Sequence, residues 1–200
     1  MARREALQQF LDAAFVGFDR FSVDIRSRGS VTQAFALLDM PGPQKHGDGS
    51  RLPACSYLDQ ALSAAAIRPG LDNVIRTFRL IEPGINWTAR SNPGSSASSN
   101  FVDGHANAMV IGPGGLEDRN DVWFGASLMA PNVRYPDHDH PPEETYLVLS
   151  KGEFKQQDND WFSPGVGGSF YNPPGIKHAM RSVDTPLLAF WVLLVNQPKH

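Results

Sequence analysis

The spacing of apolar residues changes period once along this chain, near residue 80, and that change constrains the fold more than any other feature. Before it, Leu7, Phe10, Leu11, Ala14, Phe15 and Phe18 recur at the i, i+3, i+4, i+7 spacing of one helix face. Leu58 and Leu62 begin a second stripe, closed by Arg68-Pro69-Gly70, and Leu71, Val74, Ile75 and Phe78 form a third. A Pro/Gly-rich connector, residues 40–53, separates the first two. After residue 80 come short apolar or alternating runs: INWTAR, ANAMVIG, VWFGASLM, ETYLVLS, SFYNP, HAMRSV and LLAFWVLL. Turn clusters at 112–115, 150–153 and 163–168 separate them, which predicts an all-β sandwich or barrel. The 18 Gly and 16 Pro suit a body of many turns. Three short helices make a thin core alone, so their apolar faces are expected to cover something else. The predicted organisation is a helical segment, residues 1–80, packing on a β-barrel, residues 81–200. The Ser/Gly-rich stretch 92–100 is expected to be a mobile loop.

Composition narrows the function classes. A net charge of −3 over 200 residues, without a basic stripe, argues against a nucleic-acid partner. No apolar run approaches the roughly 20 residues that cross a bilayer, and the first residues lack the apolar centre of a secretory signal. A cytoplasmic, membrane-free protein is therefore expected. Cys55 is the one cysteine, which excludes an intramolecular disulfide framework and a cysteine-rich zinc site. Next to a helix start, it reads as a small buried hydrophobe. The helix stripes are also compatible with a homodimer. His46 and His105 lie in Gly-containing connectors and read as solvated; His200 is terminal and is expected to be disordered.

Chemistry concentrates in two stretches. In the first, His138-x-His140-x3-Glu144 runs into a strand-like segment carrying Tyr146. Residues two apart on a strand share a face, so His138 pairs with His140 and Glu144 with Tyr146. In the second, Gly167-x5-Pro173-x-Gly175-x2-His178 sets a turn that opens a new strand with His178 just inside it. If that strand lies beside the first, imidazoles and a carboxylate converge as ligands for one divalent transition metal ion: Zn, Fe, Mn, Co or Ni. The alternatives are polar residues on exposed strand ends, or a structural rather than catalytic ion.

Together these two stretches resemble the paired motifs of the cupin superfamily, G-x5-H-x-H-x3,4-E-x6-G and G-x5-P-x-G-x2-H-x3-N. The chain departs from them at Asn132, where the leading glycine would stand, at Gly152, one residue late, and at Ser182, in place of the final asparagine. The resemblance implies a single C-terminal cupin, a double-stranded β-helix or jelly-roll barrel, behind the helical segment. The run from Tyr135 to Tyr146, with helices ahead of one cupin, more closely resembles the DddQ-type dimethylsulfoniopropionate (DMSP) lyases. That resemblance implies cleavage of DMSP to dimethyl sulfide and acrylate, a carbon–sulfur lyase reaction. It implies His140, Glu144 and His178 as metal ligands, with His138 as the matching first histidine. It implies Tyr146 as general base and Tyr135 as a second active-site tyrosine.

A sulfonium is well held against aromatic faces, for which Tyr135, Trp123, Phe124, Tyr171 and Trp191 are candidates; strand parity alone does not choose among them. For Trp191 the competing reading is core packing, for Tyr146 a core or barrel-lining aromatic, and for Tyr135 a loop aromatic. Arg134 and Lys177 are the nearest cations in sequence for a substrate carboxylate. The same ligand set also suits a non-haem iron dioxygenase, and a non-catalytic small-molecule-binding cupin is the third reading.

Overall fold

The structure is a computed structural model that describes residues 2–195. Four helices come first: α1 (Glu5–Phe21), α2 (Ile25–Leu38), α3 (Leu58–Ala66), entered through a 3-10 turn at Pro53–Tyr57, and α4 (Asp72–Ile81). α1 buries Leu7, Phe10, Leu11, Ala14 and Phe18, the face its spacing predicts. Phe15 sits at the edge of that face, 37% exposed, with its ring 5.2 Å from Phe35. α2 is an addition to the sequence reading. Asp24 caps it by accepting the Arg26 backbone N–H at 2.7 Å, and Val31, Ala34, Phe35 and Leu38 make its buried stripe. Cys55 is buried in the 3-10 turn before α3.

The strands are β1 (Trp87–Thr88), β2 (His105–Ile111), β3 (Val122–Met129), β4 (Glu143–Val148), β5 (Glu153–Gln156), β6 (Ser169–Asn172), β7 (His178–Arg181) and β8 (Leu187–Leu194). A one-turn helix, α5 (Phe101–Gly104), leads into β2. Six strands form an antiparallel sheet in the order β1-β2-β3-β8-β4-β6, and β5 pairs with β7 in a second. Bridges Arg134↔Arg181 and His138↔His178 extend the second sheet with residues 134–138. The two antiparallel sheets, with the crossovers that place β8 between β3 and β4, form the cupin barrel. β5 is an addition to the strand runs of the sequence: EFKQ is polar at three of four positions, and its first residue overlaps the 150–153 turn cluster.

Both faces of the large sheet are buried. Phe124, Ala126 and Leu128 of β3 and Leu188, Phe190, Val192 and Leu194 of β8 face outward and share a core with the helices. Phe10 of α1 stacks on Phe124 at 5.3 Å, and Phe78 of α4 meets Phe190 edge-on at 4.9 Å. The opposite parity faces into the barrel, where Tyr135, Tyr146, Val148, Phe154, Met180 and Ala189 form a second cluster.

Two departures from the cupin motifs have physical explanations. Asn132 has φ +60°, the left-handed region for which the motif supplies glycine and which asparagine tolerates better than most residues. Ser182 donates its hydroxyl to the Ala130 carbonyl at 2.5 Å and accepts the Val133 N–H at 2.9 Å, so it ties the 130–133 turn to the end of β7. The 92–100 loop is likewise held. Ser98 Oγ accepts the Arg134 N–H and Ser96 Oγ accepts the Asp137 N–H, both at 2.9 Å, so its serines anchor it to the strand that carries His138.

Candidate metal centre and barrel interior

β4 alternates across the sheet. Glu143, Thr145 and Leu147 face outward; Glu144, Tyr146 and Val148 face in. The Pro173–Gly175 turn, with Gly175 at φ +70°, delivers His178 to the start of β7. Its backbone pairs with His138 in both directions, at 3.0 and 2.8 Å. His140 reaches in from the loop before β4, and its backbone carbonyl accepts the Gly175 N–H at 3.0 Å. The result is a tight group: one donor atom each of His140, Glu144 and His178, all within 4.8 Å of one another. Glu144 Oε2 lies 3.5 Å from His140 Nε2 and 3.3 Å from His178 Nε2. His138 stands beside this group rather than in it, its ring centroid 4.1 Å from that of His178.

The donor set fits a divalent cation. All three imidazoles offer Nδ1–H to a backbone carbonyl at 2.9 Å: His138 to Pro136, His140 to Pro142 and His178 to Ile176. That leaves each Nε2 as a bare lone pair, the form that ligates a metal. His178 Nε2 is buried and has no hydrogen-bond partner, although it faces a carboxylate oxygen. A lone pair and an anionic oxygen facing each other in a buried site call for a positive charge between them.

The electrostatics follow the same logic. Burial pushes the Glu144 carboxyl up, but His140 and His178 outweigh it and hold the group down to about 2. Burial pulls His140 down, and the Glu144 carboxylate, 3.5 Å from its Nε2, more than reverses this. His138, with no such partner, is held down to about 4 by burial and by its neighbour His178. Burial and the Glu144 charge push the Tyr146 phenol far above its ordinary value, so in the protein alone Tyr146 is a neutral phenol.

The barrel interior settles where the aromatic candidates stand. Trp191 pairs with Tyr146 across β4 and β8 and faces inward; its indole lies over Gly125, where a Cβ would meet Cη2 and Cζ2 at 2.3 Å. Trp123 shares the inward face, with Leu193 in register between it and Glu144. Tyr135 is buried, edge-on to Phe101 at 5.1 Å and 5.0 Å from the His138 ring. Two candidates face elsewhere. Phe124 is fully buried among Phe10, Phe18 and Phe35 on the helix side of the sheet. Tyr171 is on the outer face of β6, donating to Glu143 at 2.7 Å with the Arg26 guanidinium 5.1 Å from its ring. Neither can touch a ligand inside the barrel.

His105 also departs from expectation. It is 1% exposed, stacked 3.7 Å from the Phe101 ring, with Nδ1 on the Phe101 carbonyl and Nε2 accepting the Arg90 N–H at 2.8 Å. Burial holds it below its ordinary pKa, a neutral structural histidine. His46 is exposed, and His200 lies outside the described residues. Of the cations named from sequence, Arg134 is paired with Asp137 and Lys177 is exposed. Arg90, which the sequence reading passed over, has its guanidinium 5.9 Å from the Tyr135 ring.

Comparison with known proteins bears on this geometry. A dimethylsulfoniopropionate lyase family model matches residues 26–189. The lyase DddQ of Ruegeria pomeroyi is 32% identical over 97 residues, 48% of each chain, so the aligned stretch spans about half of that relative. The crystal structure of DMSP lyase DddQ from Ruegeria pomeroyi DSS-3 superposes with a TM-score of 0.70 at 22% identity, covering 99% of this chain and 95% of that one. A chain from the crystal structures of the DMSP lyases RdDddP and RnDddQII gives 0.73 at 18% identity, covering 96% and 93%. These two superpositions establish the shared fold, helices included. Among the described residues no helix is long and apolar enough to cross a membrane.

Proposed function

The chain belongs to the dimethylsulfoniopropionate (DMSP) lyase family, and from that premise we propose that it splits DMSP into dimethyl sulfide and acrylate by β-elimination. The observation that carries this reading is the family match over residues 26–189, which takes in the whole His140–Glu144–His178 centre. We assign one divalent transition metal ion to those three residues, with His138 beside them. When bound, the ion supplies charge withdrawal from the substrate carboxylate and favours the ionised form of a neighbouring phenol.

The remaining chemistry falls to side chains of this chain. Tyr146 stands two residues beyond Glu144 on the same inward face, so its phenol oxygen is assigned as the base. It takes the proton from the carbon next to the carboxylate. The released electron pair forms the carbon–carbon double bond, and the carbon–sulfur pair leaves with neutral dimethyl sulfide. The inward faces of Trp191, Trp123 and Tyr135 suit the sulfonium, a soft cation that gains from aromatic quadrupoles. Phe170 stacks on the Tyr146 ring at 5.0 Å and Phe154 lies 5.5 Å from it, with Phe162 packed on both, an apolar wall suited to keeping water from the base. With a carboxylate at one end and a sulfonium at the other, the substrate needs both environments in one barrel.

The test is headspace detection of dimethyl sulfide, with acrylate measured in the same vial, for wild type and Tyr146→Phe. Wild type should form both products in equal amounts, with activity removed by chelator and restored by metal. Tyr146→Phe should lose at least a hundredfold in rate while binding metal normally. An active Tyr146→Phe protein removes the base assignment; a metal-loaded wild type that leaves DMSP intact removes the reading itself.

A further inference from the structure

A one-way hydrogen-bond relay crosses the barrel interior from Trp191 to Tyr135. Trp191 Nε1 donates to Ser127 Oγ at 3.1 Å, Ser127 Oγ donates to Asn107 Oδ1 at 2.7 Å, and Asn107 Nδ2 donates to the Tyr135 hydroxyl at 3.1 Å. The three strand residues are neighbours in register, Asn107 opposite Ser127 and Gly125 opposite Trp191, all on the inward face.

The direction of the relay is fixed at its first member. An indole N–H can only donate, so Ser127 must accept from Trp191. Among the described residues Asn107 is the one partner of the hydroxyl besides Trp191, so its own hydrogen goes to Asn107 Oδ1. That in turn fixes the amide orientation, with oxygen toward Ser127 and nitrogen toward Tyr135. An amide NH₂ can only donate, so the Tyr135 oxygen accepts, and the phenol's own hydrogen is left for a partner beyond the relay. Tyr135 is 7% exposed, its ring 5.0 Å from that of His138, in the same inner cluster as Tyr146. The free hydrogen thus belongs to the polar end of the barrel interior.

We propose that Asn107 is a positioning residue, which, with its amide orientation set by Trp191 through Ser127, holds Tyr135 as a hydrogen-bond donor toward the substrate carboxylate. The proposal rests on the lyase reading of the site. It adds to that reading two residues, Asn107 and Ser127, that belong neither to the metal centre nor to the aromatic set assigned to the sulfonium, and it divides the tyrosines: Tyr146 gains a proton while Tyr135 donates a hydrogen bond and keeps its own.

The discriminating substitution is Asn107→Asp. A carboxylate in the same place still accepts from Ser127, but it also accepts from Tyr135 and so turns the phenol away from the substrate. Asn107→Leu merely removes the contact. The experiment compares wild type, Asn107→Leu, Asn107→Asp, Tyr135→Phe and Asn107→Asp/Tyr135→Phe, all metal-loaded. It measures kcat and KM for DMSP and, separately, calorimetric affinity for acrylate. Asn107→Leu should weaken acrylate binding and kcat/KM about threefold, and Asn107→Asp a further tenfold or more. In the Tyr135→Phe background the additional loss caused by Asn107→Asp should vanish. Equal losses in the two Asn107 variants, or an undiminished Asn107→Asp effect without the Tyr135 hydroxyl, would overturn the proposal. Should the Asn107 variants not fold, Ser127→Ala frees the amide to flip without touching Asn107. It should weaken acrylate binding about threefold, and unchanged binding overturns the proposal. A wild type that binds acrylate but releases no dimethyl sulfide defeats the lyase reading alone, because the acrylate measurements still report the orientation of Tyr135.

Discussion

Asn172 Nδ2 donates to Glu144 Oε2 at 3.1 Å, and the other end of the same amide accepts from Gln156 Nε2 at 2.7 Å. The pair is register-matched across β4 and β6, and Asn172 is fully buried. Glu144 is thus held from behind by an amide that cannot rotate without losing two bonds. Outer contacts of this kind orient a ligand and typically contribute 10–100-fold to metal affinity. Asn172→Leu should therefore weaken Co(II) or Zn(II) binding by about that factor in calorimetric titration of metal-free protein. Gln156→Ala, one bond further out, should have a smaller effect in the same direction. Wild-type affinity in Asn172→Leu would mean that the surrounding barrel alone fixes Glu144.

The placement of Phe124 leads to a different kind of prediction. Its ring is in the helix-side core against Phe10, Phe18, Phe35 and Phe190. Phe124→Ala should cost about 3–5 kcal/mol in urea unfolding, the usual cost of an aromatic-sized cavity. Metal affinity and kcat per folded molecule should stay at wild-type values. Trp191→Phe should do the reverse, with modest loss of stability and a raised KM. If Phe124→Ala raised KM while leaving stability alone, the parity assignment of β3 would be wrong.

These two residues also show how far the sequence could be read. The His138-x-His140-x3-Glu144 spacing, the Pro173–Gly175 turn and His178 were legible because metal ligation demands particular residue types at short spacing. Parity correctly put Tyr146 on the face of Glu144. It could not separate Trp123 from Phe124, because helices cover the outer face of the large sheet. β3 is apolar on both faces and carries no alternation to read. Tyr171 failed for the opposite reason: nothing in SFYNP marks which of two aromatics points inward. α2 did carry a readable stripe, Val31, Ala34, Phe35 and Leu38, behind an Asp24 cap, but Gly29 and Ser30 interrupt its first turns and mask it. The relay through Asn107 and Ser127 was beyond reach, since it depends on the register between β2 and β3.

Arg3 and Glu117 bring a pH dependence that is separate from the centre. They meet at 2.6 Å with side chains 2% and 0% exposed, and Glu117 also accepts the Gly42 N–H at 2.9 Å. Burial pushes the Glu117 carboxyl up, but Arg3, the Gly42 N–H and Arg119 together outweigh it and hold the group below its ordinary value. A depressed carboxyl binds fewer protons in the folded than in the unfolded state. Its stabilisation is therefore complete above the ordinary carboxylate range and is lost as pH falls through the folded value. Urea unfolding of metal-free protein should show stability falling on acidification below about pH 5. Glu117→Gln should cost about 3–5 kcal/mol at neutral pH, because it strands a buried guanidinium, and should flatten the acid slope. An unchanged slope would assign the acid sensitivity to other groups.

Gly125 is the position on which the inward geometry of Trp191 depends. A Cβ there would fall 2.3 Å from indole Cη2 and Cζ2 and 2.4 Å from the Ala108 carbonyl oxygen. The carbonyl is part of the β2–β3 ladder and can give little, so the indole must move. Moving it strains or breaks the bond from Trp191 Nε1 to Ser127. Gly125→Ala should therefore destabilise the barrel by about 1–3 kcal/mol, shift the tryptophan fluorescence and near-UV circular dichroism, and raise KM. The clash has two partners, and only one of them is a side chain. In a Trp191→Phe background the atoms that meet the new methyl are gone, so the added cost of Gly125→Ala should shrink to the part owed to the Ala108 carbonyl. A full-sized cost in that background would mean that the backbone contact, rather than room for the indole, is what requires glycine at this position.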